Sequence, residues 1–565
     1  MSYDLVIRNG TVVDGSGLGS FRADVGIVGD RIAFVGPIRG PGTHEIDAEG
    51  QVVTPGFIDG HTHLDAQVFW DASGSNSCWH GVTSAVMGNC GFTLAPVRSD
   101  QRALVVRNLE RAEDIDPGAL AAGIHWTFET FREYLDAVDR LPKGINLAAQ
   151  VGHSALRTWA MGERAFEEEA TDDDLTAMHA ELAQSLRAGA IGFSTSRTQH
   201  HETSDNRPVA SRLASWAEVV ALVGVLGDLG TGIFETADAD MSAPDPEDRA
   251  RGLDRVRALA ADTQVPVTFG MVATRSSDYL LDFLDQVAAS GGRCIAQTHC
   301  RGISVLLSLR TRLPFDLIGS WGELRSRPVE EQLVVLRDPD RKRAYVDAAV
   351  DADYSGWKGV GAQARPPDFE GIRVYRQGLP PNPSVADEAR RRGVHPAEAM
   401  IDLCVESGGD QLFIQPSLYQ QDEAVLLRAM RHPRTVMTFS DSGAHLSQIA
   451  DSSIHTHLLG HWVRDRQEFT LEEAVRMITL APALAWGFTD RGLLRSGMAA
   501  DLNVFDPATV GPAVPRLVDD LPGGGLRLEQ RSTGFSATVV AGQVTIRDGV
   551  LTGATPGRLV RSRPS

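Results

Sequence analysis

The sequence predicts an α/β protein built on a (β/α)8 TIM-type barrel, with short-stranded β segments at both chain ends. Three observations carry this. Alternating apolar residues broken by Gly, Asp and Asn fill the first fifty residues, as in "DLVIRNGTVVDG", and return near the C-terminus in "FSATVVAGQVTIRDGVLTG". Between these ends, short apolar runs alternate with longer amphipathic stretches such as "DDDLTAMHAELAQSLRAG", the rhythm of a parallel sheet with crossover helices. Eight such runs can be counted, and six carry His, Cys, Glu or Asp within two residues of their end. Barrel chemistry sits where strands end, so that enrichment is informative.

In chain order the eight runs are "GFIDGHTH", "GVTSAVMGNCG", "INLAAQVGH", "AIGFSTS", "TGIFETA", "VPVTFGM", "CIAQTHC" and "TVMTFSDSGAH". They place the barrel at 56–488, with the β segments at 1–55 and 489–555 and a loose tail at 556–565. The stretch between the seventh and eighth runs, about 301–433, is too long for one crossover. It reads as an insertion of helices and loops, a lid or specificity element.

Composition narrows the partners. A formal net charge of -20 disfavours nucleic acid and anionic membrane, because a polyanion needs a basic surface. No stretch reaches the roughly 18 apolar residues of a membrane span. The N-terminus lacks the basic and apolar regions of a signal peptide. The five cysteines (Cys78, Cys90, Cys294, Cys300 and Cys404) are too sparse for a disulfide framework, so a reducing cytoplasm is expected. Nothing in the acidic balance bears on assembly, and a homo-oligomer is compatible with it.

His61 and His63 end the first run. Residues i and i+2 of a strand face the same way, so the pair can aim two imidazoles at one ion. The competing reading is a polar surface turn. The apolar lead-in "VVTPGFID" and an Asp at the eighth strand end favour a metal clamp.

The ordered set "GFIDGHTH", "GVTSAVMGNCG" and "SDSGAH" resembles the amidohydrolase superfamily. Within it, "GNCG" followed by "LAPV", "VGHSALR" and "GFSTSR" is similar to the N-acyl-D-amino-acid deacylase (D-aminoacylase-like) branch, and the likeness covers nearly the whole chain. It implies a metal-dependent barrel with a small β-sandwich formed from both chain ends, and a zinc hydrolase that cuts an amide. It implies that Asp441 contacts the metal and shuttles the proton from metal-activated water to the leaving amine, whereas a bland reading makes Asp441 a helix cap. It implies Cys90 as a metal ligand, against the alternative of a buried structural cysteine.

The sequence also departs from that branch. Many amidohydrolases use a carbamylated strand-four lysine, and "LRAGAIGFSTSR" has none; Lys143, Lys342 and Lys358 are the only lysines in the chain. The branch places metal-binding histidines at strands five and six, but "GIFETADAD" and "VPVTFGMVATR" offer none. Glu235 in the strand-five run is the candidate replacement, held with Cys90 around one or two zinc ions per chain.

Further polar residues are candidates for contacting substrate. They are His153 and His299 at strand ends, His201 and Arg197 after strand four, and Arg301 after strand seven; an arginine can clamp a substrate carboxylate. For the histidines the alternative is a satisfied structural role. His455, His457 and His461 lie on the helix after strand eight and read as structural. "GFSTS" is not a nucleophile elbow, so serine hydrolase chemistry has little support.

The expectation is therefore a cytoplasmic, zinc-dependent amidohydrolase for a small amide, such as an N-acyl-D-amino acid. Its rivals are a cyclic amide or imide hydrolase, or a deaminase, on the same barrel, and a degenerate barrel that binds without turnover.

Overall fold

The computed structural model describes residues 2–110, 113–354, 366–417, 421–448 and 451–562. Parts of the insertion (355–365 and 418–420) and the last tail residues (563–565) lie outside the described residues.

All eight predicted runs form strands of one parallel sheet. Strands Phe57–Asp59, Val82–Met87, Asn146–Gly152, Gly192–Ser196, Ile233–Ala237, Val267–Gly270, Cys294–Thr298 and Thr435–Met437 lie side by side in chain order. These are called strands one to eight below. Their apolar runs are buried on both faces, as a helix-covered parallel sheet requires. Short extensions close the barrel: His61–Thr62 beyond strand one pairs in parallel with Phe439–Ser442 beyond strand eight. The closing seam thus brings the HxH motif against Asp441.

Crossover helices start and stop where the sequence says they should. In Asp172–Ala188, Thr171 accepts from the Asp174 amide while the Asp174 carboxylate returns the bond, and Gly189 ends the helix at φ 111°.

The two chain ends share one nine-stranded sheet, joined where Val52–Pro55 runs antiparallel to Leu502–Phe505. Leu5, Ile7, Val25, Ile27, Val504 and Val539 form its core. Residues 511–533 leave this sheet. Arg516–Val518 and Arg527–Glu529 form a separate ribbon, and Leu517 and Leu528 pack on Leu306, Tyr375 and Ile414 of the insertion.

The insertion carries the expected helices, among them Pro339–Val350, Val385–Arg392 and Pro396–Glu406. It also holds an antiparallel sheet of Val305–Leu307, Phe413–Gln415 and Arg373–Val374, and its own core around Phe315, Trp321, Met400 and Phe413. Strands of two or three residues leave no alternation to read in a sequence.

The expectation of a loose tail is corrected. Residues 556–562 run extended along the start of strand three. Leu147 N–H donates to the Arg558 carbonyl (2.9 Å) and Val560 N–H to the Leu147 carbonyl (2.7 Å), and Leu559 is buried. The open start of that strand offered unpaired backbone groups, and the tail satisfies them.

Candidate metal centre

Strand one and its extension carry three polar side chains at alternate positions. Asp59, His61 and His63 are at most 3% exposed. Asp59 is the deepest; it accepts the Ser440 hydroxyl, and burial pushes its carboxyl up to about 7. His61 Nδ1–H donates to Gln297 Oε1 (2.6 Å), and the Gln297 amide nitrogen donates to Thr268. That bond fixes the tautomer and leaves the Nε2 lone pair pointing into the barrel mouth, as metal-bound histidines require. Phe439 packs on the His61 ring (4.2 Å between centroids) and is itself stacked by His299 (5.3 Å).

Cys90 is set by its turn. Gly88 has φ 81°, and a Cβ there would lie 2.4 Å from the Gln150 carbonyl. Gly88 N–H is bound by Asp65, and Asn89 donates to the Thr62 carbonyl, so the turn is tied to strand one. Cys90 itself has φ 55°, and Asp441 and His445 have φ 58° and 50°. Non-glycine residues rarely adopt this conformation, and it gathers at functional sites because surrounding structure must hold it.

These elements converge. Cys90 Sγ lies 3.5 Å from His61 Nε2, and Asp441 Oδ1 lies 3.5 Å from His61 Nε2 and 3.0 Å from His63 Nε2. Two donor groups result, each with its atoms within 4.8 Å of one another: His61, His63 and Cys90; and His63, Glu113 and Asp441. Glu235, from strand five, accepts the Cys90 amide through Oε2 (2.8 Å), while its Oε1 has no partner. It stands beside the first group without joining either.

Charge is crowded here. Burial pushes the Glu235 carboxyl up to about 8 and the Cys90 thiol well above its usual range. Burial alone would lower His63, but the neighbouring Glu113 and Asp441 charges outweigh it and raise the imidazole to about 9. Asp441 shows the converse: its burial is outweighed by the His63 hydrogen bond and by the His61, His63 and His445 charges, which hold it below the usual carboxylate range. Asp441 and His445 are also the open groups, at 23% and 20% side-chain exposure, against 2% for His63 and Glu113. Solvent therefore reaches the cluster at Asp441 and His445. Two buried carboxylates, the half-buried Asp441, two imidazoles and a thiol, with Glu113 Oε1 and Glu235 Oε1 unpartnered, form the kind of set that a divalent cation satisfies.

The remaining candidates separate. His201 Nδ1 bonds Ser196 (2.7 Å) and its ring lies on Phe92. Burial lowers His201 to about 3 and His299 to about 4, and the Asp441 charge opposes both shifts, so both rings lie within its electrostatic reach. His153 is fully buried, with Nδ1 on Thr195 and Nε2 on Glu218, both at 2.8 Å; no ring nitrogen remains for a substrate. Arg197 donates to the Ala214 carbonyl and stands 3.8 Å from Asp238, so it ties together the loops after strands four and five. Arg301 lines a cavity of about 400 Å³ with Arg373, Tyr375 and His457, between the insertion and the helix after strand eight. His455 stacks on Phe57 of strand one.

Glu113 is the site residue that the sequence did not reveal. It sits in the connection between strands two and three, in "RAEDIDPG", where the visible signal is the Asp116 cap of the next helix. No periodicity marks a loop carboxylate that turns inward.

A closed parallel barrel with a His-Cys-carboxylate cluster at the C-terminal mouth of its strands defines a metal-dependent hydrolase of the amidohydrolase type. The chain belongs to the amidohydrolase family, whose model matches residues 44–301 and 358–546, and to its D-aminoacylase-like branch. It is 28% identical to a D-aminoacylase of Alcaligenes xylosoxydans xylosoxydans, over 99% of this chain and 97% of that protein. It is 31% identical to an N-acyl-D-glutamate deacylase of the same organism, over 90% of this chain and 88% of that one. The solved N-acyl-D-glutamate deacylase of Bordetella bronchiseptica, complexed with zinc and a phosphonate inhibitor, superposes with a TM-score of 0.63 at 23% identity, covering all of both chains. At that identity the likeness is one of fold.

Proposed function

We propose that this protein is a metal-dependent deacylase of small N-acyl amides, N-acyl-D-amino acids among them, and that its metal is zinc. The observation that carries the reading is the convergence of His61, His63, Cys90 and Asp441 at the barrel seam. Imidazole and thiolate donors together suit zinc, one or two ions per chain, with Glu235 placed to support Cys90. A metal held there would lower the pKa of water and polarise the amide carbonyl.

The chain's own residues do the rest. Gln297 keeps His61 Nε2 unprotonated and aimed inward. Asp441, the exposed carboxylate, takes a proton at its carboxylate oxygen and returns it to the leaving nitrogen. We assign His201 and His299, which feel the Asp441 charge, to the acyl or amino-acid part of the substrate. Burial of the other groups limits water at the reacting centre.

The test is a substrate panel on zinc-loaded protein: N-acyl-D-amino acids, their L-enantiomers, hydantoins and dihydropyrimidines. Hydrolysis of N-acyl-D-amino acids, lost in Asp441→Asn, is the expected result. Turnover confined to the cyclic amides would overturn the deacylase reading. Ligand binding without turnover of any amide would favour a binding barrel.

A further inference from the structure

We propose that Glu113 is a metal ligand, supplying from a loop the carboxylate of an oxygen-rich cation position that takes His63 and Asp441 and leaves His61 and Cys90 to the neighbouring one. The inference rests on the metal-dependent reading above and adds a donor from outside the barrel strands.

Three observations carry it. The Glu113 side chain is 2% exposed, yet its Oε1 has no hydrogen-bond partner, and its Oε2 lies 3.5 Å from His63 Nε2. Its oxygen, the His63 nitrogen and an Asp441 oxygen fall within 4.8 Å of one another. An unpaired carboxylate oxygen in a dry site is costly, and a cation removes that cost. His63 alone is a poor substitute: one imidazole faces two carboxylates, both closer than 4 Å.

Glu113 is also held in place. His445 N–H donates to the Glu113 carbonyl (2.6 Å). The next residue, Asp114, accepts from Ser447 Oγ (2.9 Å) and Gln448 Nε2 (3.2 Å). The strand two to three connection is thus stapled to the turn that carries Asp441 and His445. A ligand needs such a rigid second anchor. The donor set of one nitrogen and two carboxylates suits harder divalent ions better than the Cys90 group does.

The test is metal binding by Glu113→Gln and Glu113→Asp in the full chain. Zinc and manganese would be titrated against a competing chelator, with thermal unfolding of the metal-free and loaded forms. Glu113→Gln should lose one ion per chain, or bind it roughly tenfold or more weakly. Its metal-free form should be at least as stable as the parent, because a crowded negative charge is gone, and the stabilisation gained on adding metal should shrink. Glu113→Asp, which keeps the charge, should fall between. Parent and Glu113→Gln binding metal with equal stoichiometry and affinity would overturn the proposal while leaving the metal-dependent reading intact. A parent that binds no metal would overturn both. Should Glu113→Gln not fold, Glu113→Asp decides the matter by the same comparison.

Discussion

Gln297 shows how much a single buried hydrogen bond controls at this site. Its oxygen holds the proton on His61 Nδ1, so Nε2 stays a lone pair facing the mouth. Gln297→Leu should leave the fold intact and weaken metal binding by roughly 10–100-fold, measured against a chelator. Unchanged affinity would mean that packing on Phe439 alone orients the ring. At the same scale, Gly88→Ala should destabilise the protein by upwards of ~1 kcal/mol, since the left-handed turn leaves no room for a Cβ against Gln150; denaturant unfolding would read it. Residue-level legibility was uneven. His61, His63, Cys90 and Asp441 stand at strand ends, where period two and barrel topology say which way they point. Glu113 stands in a loop, and His153 looked like a site residue although its helix turns it toward Glu218. Loop geometry and helix orientation are set by tertiary packing, which one sequence does not display.

Among the elements, the helices outside strands three and four are pinned by one buried network. The Glu218 carboxylate, 3% exposed, accepts from Arg157 and from His153 Nε2. Burial opposes its charge, but these partners outweigh burial and depress Glu218 to about 2. A depressed carboxylate stabilises the fold above its ordinary pKa near 4.5 and loses that contribution as pH falls toward 2, a loss of order 3 kcal/mol. Stability measured across that acid range should therefore fall in the parent and fall less in Glu218→Gln. Glu218→Ala strands the fully buried Arg157 and should cost about 3–5 kcal/mol at neutral pH, read by denaturant unfolding. Strands such as Val82–Met87, a buried run set between Gly81 and Gly88, were readable for that reason. The two- and three-residue strands of the insertion were not, because they are too short to show a period.

Across the whole molecule, the barrel is locked at both ends. At the mouth the strand one to eight seam holds the site; at the opposite end the C-terminal tail pairs with the start of strand three. Deleting residues 556–565 should lower the midpoint of thermal unfolding while leaving metal stoichiometry unchanged, because the described tail residues 556–562 pair with the start of strand three, away from the donor residues. The tail was misread because Arg, Pro and Ser dominate it, and two apolar residues, Leu559 and Val560, are too few to announce a strand. The joining of both ends into one sheet was legible in the resemblance, and the β texture at each end agreed with it.

The central claim is that amide cleavage here needs both a divalent metal and the Asp441 carboxylate. The most direct measurement is N-acyl-D-amino acid hydrolysis by chelator-stripped protein as zinc is added back, beside Asp441→Asn loaded to its own full metal content. The stripped protein should be inactive, activity should recover and saturate at one or two equivalents, and Asp441→Asn should lose roughly 10²-fold or more. Hydrolysis that persists without metal, or that survives in Asp441→Asn at the parent's rate, would contradict the claim.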